Sequence, residues 1–108
     1  MNDKTLSFIG LCKKAGCLAL GRTVVQENIE KGKVELVLMS SDLSERSKKN
    51  IEKICYESNV ELLKTEASMQ DLAKVLGKEF GIMGIFNMEM AKKINELVVA
   101  ESEEKCSL

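Results

Sequence analysis

The sequence predicts an α/β fold: a three-layer α/β/α sandwich around a central four-stranded mixed, mainly parallel sheet. Three observations predict it. Helical and strand patterns alternate along the whole chain without a break. Two apolar runs, 34–39 and 82–86, have the nearly unbroken character of strands buried on both faces. Each helical segment carries one apolar stripe, so helices must cover the sheet from both sides. A chain of 108 residues has room for one such domain, assigned to residues 1–101, with a frayed acidic tail over 102–108.

The elements follow in order. Asp3 to Ala15 reads as a helix with Phe8, Leu11, Cys12 and Ala15 on its inward face, and Gly16 ends it. Residues 17–20 form a short apolar strand closed by Gly21. Thr23 to Lys31 is a second helix, with Thr23 as a candidate cap, Val25, Asn28 and Ile29 inward, and Gly32 as its stop. The central run 34–39 follows. A third helix over 44–58 turns Ile51, Ile54 and Cys55 inward and Arg46, Lys48, Lys49 and Lys53 outward. Val60 to Leu63 is a strand. Ser68 and Asp71 have capping-box spacing ahead of a helical stripe, Met69, Leu72, Ala73 and Leu76, which stops at Gly77. After a loop over 78–81 comes the strand 82–86. Asn87 caps a last helix with Met90, Ala91, Ile94, Leu97 and Val98 inward. Methionines 39, 69, 83, 88 and 90 read as core or near-core filler.

Composition removes several function classes. There is no histidine, which is the usual general base near neutral pH and the commonest neutral metal ligand. Hydrolase triads and most zinc chemistry are therefore not expected. The four cysteines, Cys12, Cys17, Cys55 and Cys106, lack metal-ligand spacing and read as reduced thiols. No cofactor, metal or small-molecule substrate is expected. No apolar run approaches the ~20 residues that span a bilayer, and the opening residues do not resemble a signal segment. A cytoplasmic monomer is the expectation. With Phe8, Phe80, Phe86 and Tyr56 as the only aromatics, a broad base-stacking platform is also excluded.

Charge points to one half of the molecule. Residues 1–50 hold nine Lys/Arg against six Asp/Glu, a net of +3, while residues 51–108 hold seven against eleven, a net of −4. An anionic partner would meet the amino-terminal half. Gly21 opens the second helix, where free N–H groups and a positive dipole end suit phosphate oxygens.

The segment LGRTVVQENIEKGKVELVLMSSDLSE has a glycine opening a helix, a second glycine about eleven residues later, an apolar strand, then a small residue and Asp42 leading into a helix. With SMQDLAKVLGKE and the opening FIGLCKKAGCLALG, it resembles the L-seven-Ae/L-thirty-e ribosomal protein family over roughly residues 4–100. The opening is similar to small bacterial members encoded beside translation-factor genes. The resemblance implies an α/β/α sandwich and binding of kink-turn RNA through a Gly-x-Asn-Glu-x-x-Lys pattern at the second helix. In that pattern Asn and Glu meet guanine edges and Lys meets phosphate. Here the first position is Gly21, but Thr23 stands in the Asn position, Val24 in the Glu position and Glu27 in the Lys position. Val24 forfeits a base hydrogen bond worth roughly 1–3 kcal/mol, and Glu27 places an anion against phosphate.

The expected function is non-enzymatic binding of structured RNA, ribosomal RNA among the candidates, with a weaker or different target than the usual kink-turn. The candidate contacts are Lys13, Lys14, Gly21, Arg22, Thr23, Gln26, Lys31 and Lys33, faced by Lys78 and Phe80 from the loop before the last strand. The alternative is a protein-interaction module of the same fold that has lost RNA contact, motivated by Val24, Glu27 and the overall net charge of −1.

Overall fold

A computed structural model describes residues 3–106, with side chains through residue 101. Nine elements run α1 (Asp3–Lys14), β1 (Leu18–Leu20), α2 (Arg22–Glu30), β2 (Leu36–Met39), α3 (Glu45–Ser58), β3 (Glu61–Lys64), α4 (Met69–Leu76), β4 (Ile82–Ile85) and α5 (Met88–Cys106). The tail over 102–108 falls on side chains outside the described set.

The four strands form one sheet in the order β1-β4-β2-β3. Strand alternation divides the core in two. Leu36, Leu38, Met83 and Ile85 face α1, α4 and α5, packing with Ile9, Cys12, Leu72, Leu76 and Ile94. Val37, Met39 and Ile82 face α2 and α3, packing with Val25, Ile29, Ile51 and Cys55. Those two clusters make the three layers that the apolar runs predict.

The direction of pairing corrects one expectation. β2 and β3 pair in parallel, but β4 lies antiparallel to both β1 and β2. The sheet is mixed, yet two of its three pairings are antiparallel. The cause is local. β3 ends at Lys64 and β4 begins at Ile82, and both residues pair with Met39. The short α4 and the loop after it therefore return the chain to the edge it left, so β4 runs back down the sheet. The carboxyl ends of β1, β2 and β3 thus share one edge with the start of β4.

The face of α1 also differs from expectation. Thr5, Leu6, Ile9 and Cys12 are buried, whereas Leu11 is 54% exposed and Ala15 lies on the surface. Apolar residues at 6, 8, 9, 11 and 12 wrap too far around the helix for all of them to reach one core. Met88, read as core filler, is likewise exposed, while Met39 and Met83 are buried.

The caps of α4 and α5 are as the sequence implies, and Ser44, read as the first residue of α3, is its cap. Ser44 Oγ accepts from Ser47 N–H (3.2 Å), and Asn87 Oδ1 accepts from Met90 N–H (3.1 Å). Ser68 Oγ accepts from Asp71 N–H, and Asp71 Oδ2 accepts from Ser68 N–H, both at 3.1 Å. The bond from Ser68 N–H, helped by Lys74, holds the Asp71 carboxyl below its ordinary value. A depressed folded pKa means that this stabilisation is full above the unfolded value of 3.8 and fades as pH falls through the folded one. Ser68→Ala should cost about 1 kcal/mol at pH 7. Because the alanine variant keeps the backbone N–H that binds Asp71, this penalty should change little with pH, whereas the cost of Asp71→Ala should shrink as pH falls through acid values; thermal melts over that range would show both.

Candidate nucleic-acid interface

The turn after β1 and the loop before β4 meet at the shared strand edge. Antiparallel pairing sets Leu20 opposite Met83, so the chain leaves β1 where it enters β4. Gly21 N–H then donates to the Ile82 carbonyl at 3.0 Å. The Phe80 ring carbons lie 3.8 Å from the point where a Cβ on Gly21 would sit. On the other flank, Ser40 N–H donates to the Gly81 carbonyl at 2.9 Å, pinning the end of the 77–81 loop to β2. Open α/β sheets place ligands at such carboxyl edges.

Gly21 is the N-cap of α2, with φ 90° and ψ 154°. That region of backbone space is nearly closed to any residue with a Cβ. The Phe80 contact leaves room for a methyl group, so the demand for glycine is one of backbone rather than space. Gly21→Ala should cost about 1–3 kcal/mol in strain. Chemical denaturation would register it as a lower midpoint with an unchanged slope.

Thr23 is not a cap. It stands inside the first turn, and no side chain caps α2. α2 also has no acidic residue in that turn, whereas α1 has Asp3, α3 Glu45, α4 Asp71 and α5 Glu89. Its first N–H groups and positive dipole end therefore face no acidic side chain of their own turn. The exposed side chains there are Arg22, Thr23 and Val24, with Glu27 one turn on and Gln26 half-buried between. Lys78 is exposed on the facing loop, and Phe80 is half-buried against the first core cluster. The sequence places free N–H groups at this helix start but also offers Thr23 as a cap, and the structure corrects the second expectation. The signal was present: α2 starts Gly-Arg-Thr, with neither Ser, Asn nor Asp before it and no carboxylate after it.

The other candidates lie elsewhere. α2 runs nine residues, about 13 Å, away from Gly21 before it reaches Lys31. There Lys33 N–H donates to Asn28 and Glu35 N–H donates to Ile85, at the far end of β4. Lys31 and Lys33 thus sit at the opposite sheet edge. Their closeness in sequence to Gly21 misleads because a helix intervenes. Lys13 and Lys14 lie in a groove between α1 and α4, where Lys13 Nζ donates to the Leu76 carbonyl at 2.6 Å. That bond caps the end of α4 and places Lys13 at the start of the 77–81 loop.

The two buried thiols are not poised to react. Burial, with Cys17 nearby, pushes Cys12 up to about 11, and burial alone pushes Cys55 to about 11. Both therefore stay protonated and inert near neutral pH. Among the described residues, no three Cys, Asp or Glu side chains gather as a metal site would require, and no helix is long and apolar enough to cross a membrane.

A model of the ribosomal protein L7Ae/L30e/S12e/Gadd45 family matches residues 3–98. The chain belongs to this family. Among L7Ae-type proteins it is similar to the Enterococcus faecium RNA-binding protein YlxQ, with 31% identity over 98 residues, 89% of this chain and 92% of that protein. A Bacillus halodurans structure described as a protein with unknown function superposes with a TM-score of 0.84 at 28% identity, covering 90% of this chain and 98% of that one. The Giardia lamblia 15.5kD RNA binding protein gives a TM-score of 0.71 at 15% identity, covering 93% and 92%. This last likeness establishes shared L7Ae architecture alone.

Proposed function

We propose that this L7Ae-family chain is a non-enzymatic, cytoplasmic, monomeric protein that binds structured RNA at the sheet edge where α2 begins. The observation that carries this reading is the uncapped, acid-free start of α2 held against the loop of Lys78 and Phe80. The similarity to an RNA-binding relative supports it.

Each group has a task. The first N–H groups of α2 receive a phosphate, and Arg22 and Lys78 neutralise its neighbours on either side. The Thr23 hydroxyl and the Gln26 amide offer hydrogen bonds to base edges. The exposed part of Phe80 stacks on a single unpaired base. Val24 offers an apolar surface where a carboxylate would accept from guanine, and Glu27 repels phosphate one turn on. The preferred RNA therefore departs from a standard kink-turn at the base that Val24 faces.

A gel-shift titration against a panel of folded RNAs, kink-turns included, tests this reading. Neutralising two to three phosphates gives a salt slope of about −1.8 to −2.7, so affinity should fall roughly 12- to 40-fold between 50 and 200 mM salt. Absence of binding to every RNA at 50 mM would remove the proposal. Val24, 43% exposed at the centre of this surface, favours a second reading as a protein-interaction module. A partner retained after ribonuclease treatment and lost with Val24→Glu would support that second reading.

A further inference from the structure

The groove between α1 and α4 is not used by the RNA reading. Its floor is Leu11, Gly10 and Val75, and its rim is Lys13, Lys14 and Lys74. Gly10 lets the two helices come close, since a Cβ there would lie 3.3 Å from Val75 Cβ. Leu11 stays 54% exposed, left out of the core because the apolar stripe of α1 is too wide for it. No lining residue is acidic, although the whole chain carries 17 acids against 16 bases. One carboxylate does stand beside the rim: Asp71 Oδ1 lies 3.9 Å from Lys74 Nζ, one turn back along α4. The carbonyl of Leu76, which would oppose an anion at this helix end, is already engaged by Lys13.

We infer that this groove docks an acidic amphipathic segment of a protein partner, with an apolar side chain on Leu11 and Val75 and carboxylates on Lys14 and Lys74. Charge complementarity calls for an anion. The apolar floor selects between anions: a phosphate backbone finds nothing to match Leu11 and Val75, whereas a helix with apolar anchors at i and i+3 or i+4 covers them. Lys13 reinforces the rim while holding the end of α4. The site opens at the start of the 77–81 loop, so an occupant lies beside the proposed RNA edge without covering Gly21.

Selection of a displayed random peptide library on the full chain, without RNA, tests this inference. The selected peptides should carry net negative charge with paired apolar anchors, and should weaken as salt is raised. Measured by fluorescence anisotropy, their affinity should fall about tenfold or more on Leu11→Glu. It should fall likewise on the pair Lys14→Glu and Lys74→Glu. All three positions are exposed, and a thermal melt matching the parent chain confirms that each variant folds. RNA affinity, measured separately, should hold on Leu11→Glu and fall by no more than the few-fold of the general field on the charge pair. Neutral or basic selected peptides, or binding indifferent to both variants, would overturn the inference. So would a loss of RNA affinity well beyond that few-fold effect in place of peptide affinity, which would assign the groove to RNA. Failure of RNA binding in the parent chain bears only on the earlier proposal, because peptide binding is read without RNA.

Discussion

Met83→Ala should destabilise the chain by about 2–5 kcal/mol, lowering Tm on the order of 10–20 °C. Met83 is fully buried and pairs with Leu20 on one side and Leu38 on the other. Its side chain enters the cluster formed with α1, α4 and α5, where Ile9, Leu72 and Ile94 are also buried. Truncation opens a cavity at the centre of the molecule, and three surrounding helices limit how far it can collapse. Met83 also lies one residue from the Ile82 carbonyl that receives Gly21 N–H. Core loss and loosening of the RNA edge should therefore appear together. Calorimetry reads the first, and RNA affinity at a temperature well below the midpoint reads the second. Met83→Leu, close in volume, should cost less than about 1.5 kcal/mol and leave RNA affinity intact.

Reversing charge at Arg22 and Lys78 together should lower RNA affinity about a hundredfold at 50 mM salt, close to 2.7 kcal/mol. Each reversal removes one phosphate contact and adds repulsion to another. Both residues are exposed, so the melting temperature should barely move. The same exchange at Lys31 and Lys33 is the matched control. It alters net charge equally but lies at the opposite edge of the sheet, so it should weaken binding only a few-fold through the general field. Equal losses from the two pairs would mean that charge, rather than the α2 edge, governs binding.

Much of the fold was legible because its signals are local. The Ser68–Asp71 box, Asn87 as a cap and the buried runs of β2 and β4 are each written within a few adjacent residues. The direction of β4 was not legible. An eight-residue α4 followed by a five-residue loop permits either a crossover or a return, and only the pairing of Ile82 with Met39 decides between them. Leu11 shows a second limit. A helix whose apolar residues occupy more than one face does not announce which will be excluded.

The candidate site was half legible. Gly21 and the loop of Lys78 and Phe80 were matched by family pattern, and the antiparallel β1–β4 pairing brings them to one edge. Lys31 and Lys33 were gathered by proximity along the chain, which a helix converts into distance. The open start of α2 was legible in Gly21, whereas the exclusion of Thr23 from the cap depends on where the helix begins, one residue earlier at Arg22.

The most direct test of the central claim is a backbone NMR titration of the chain with its tightest-binding folded RNA. The RNA edge predicts that the largest shift changes fall together on Gly21 to Gln26 and on Gly77 to Gly81, with Lys31 to Glu35 nearly silent. Changes concentrated at the Lys31 end, or on one of the two turns without the other, would contradict it.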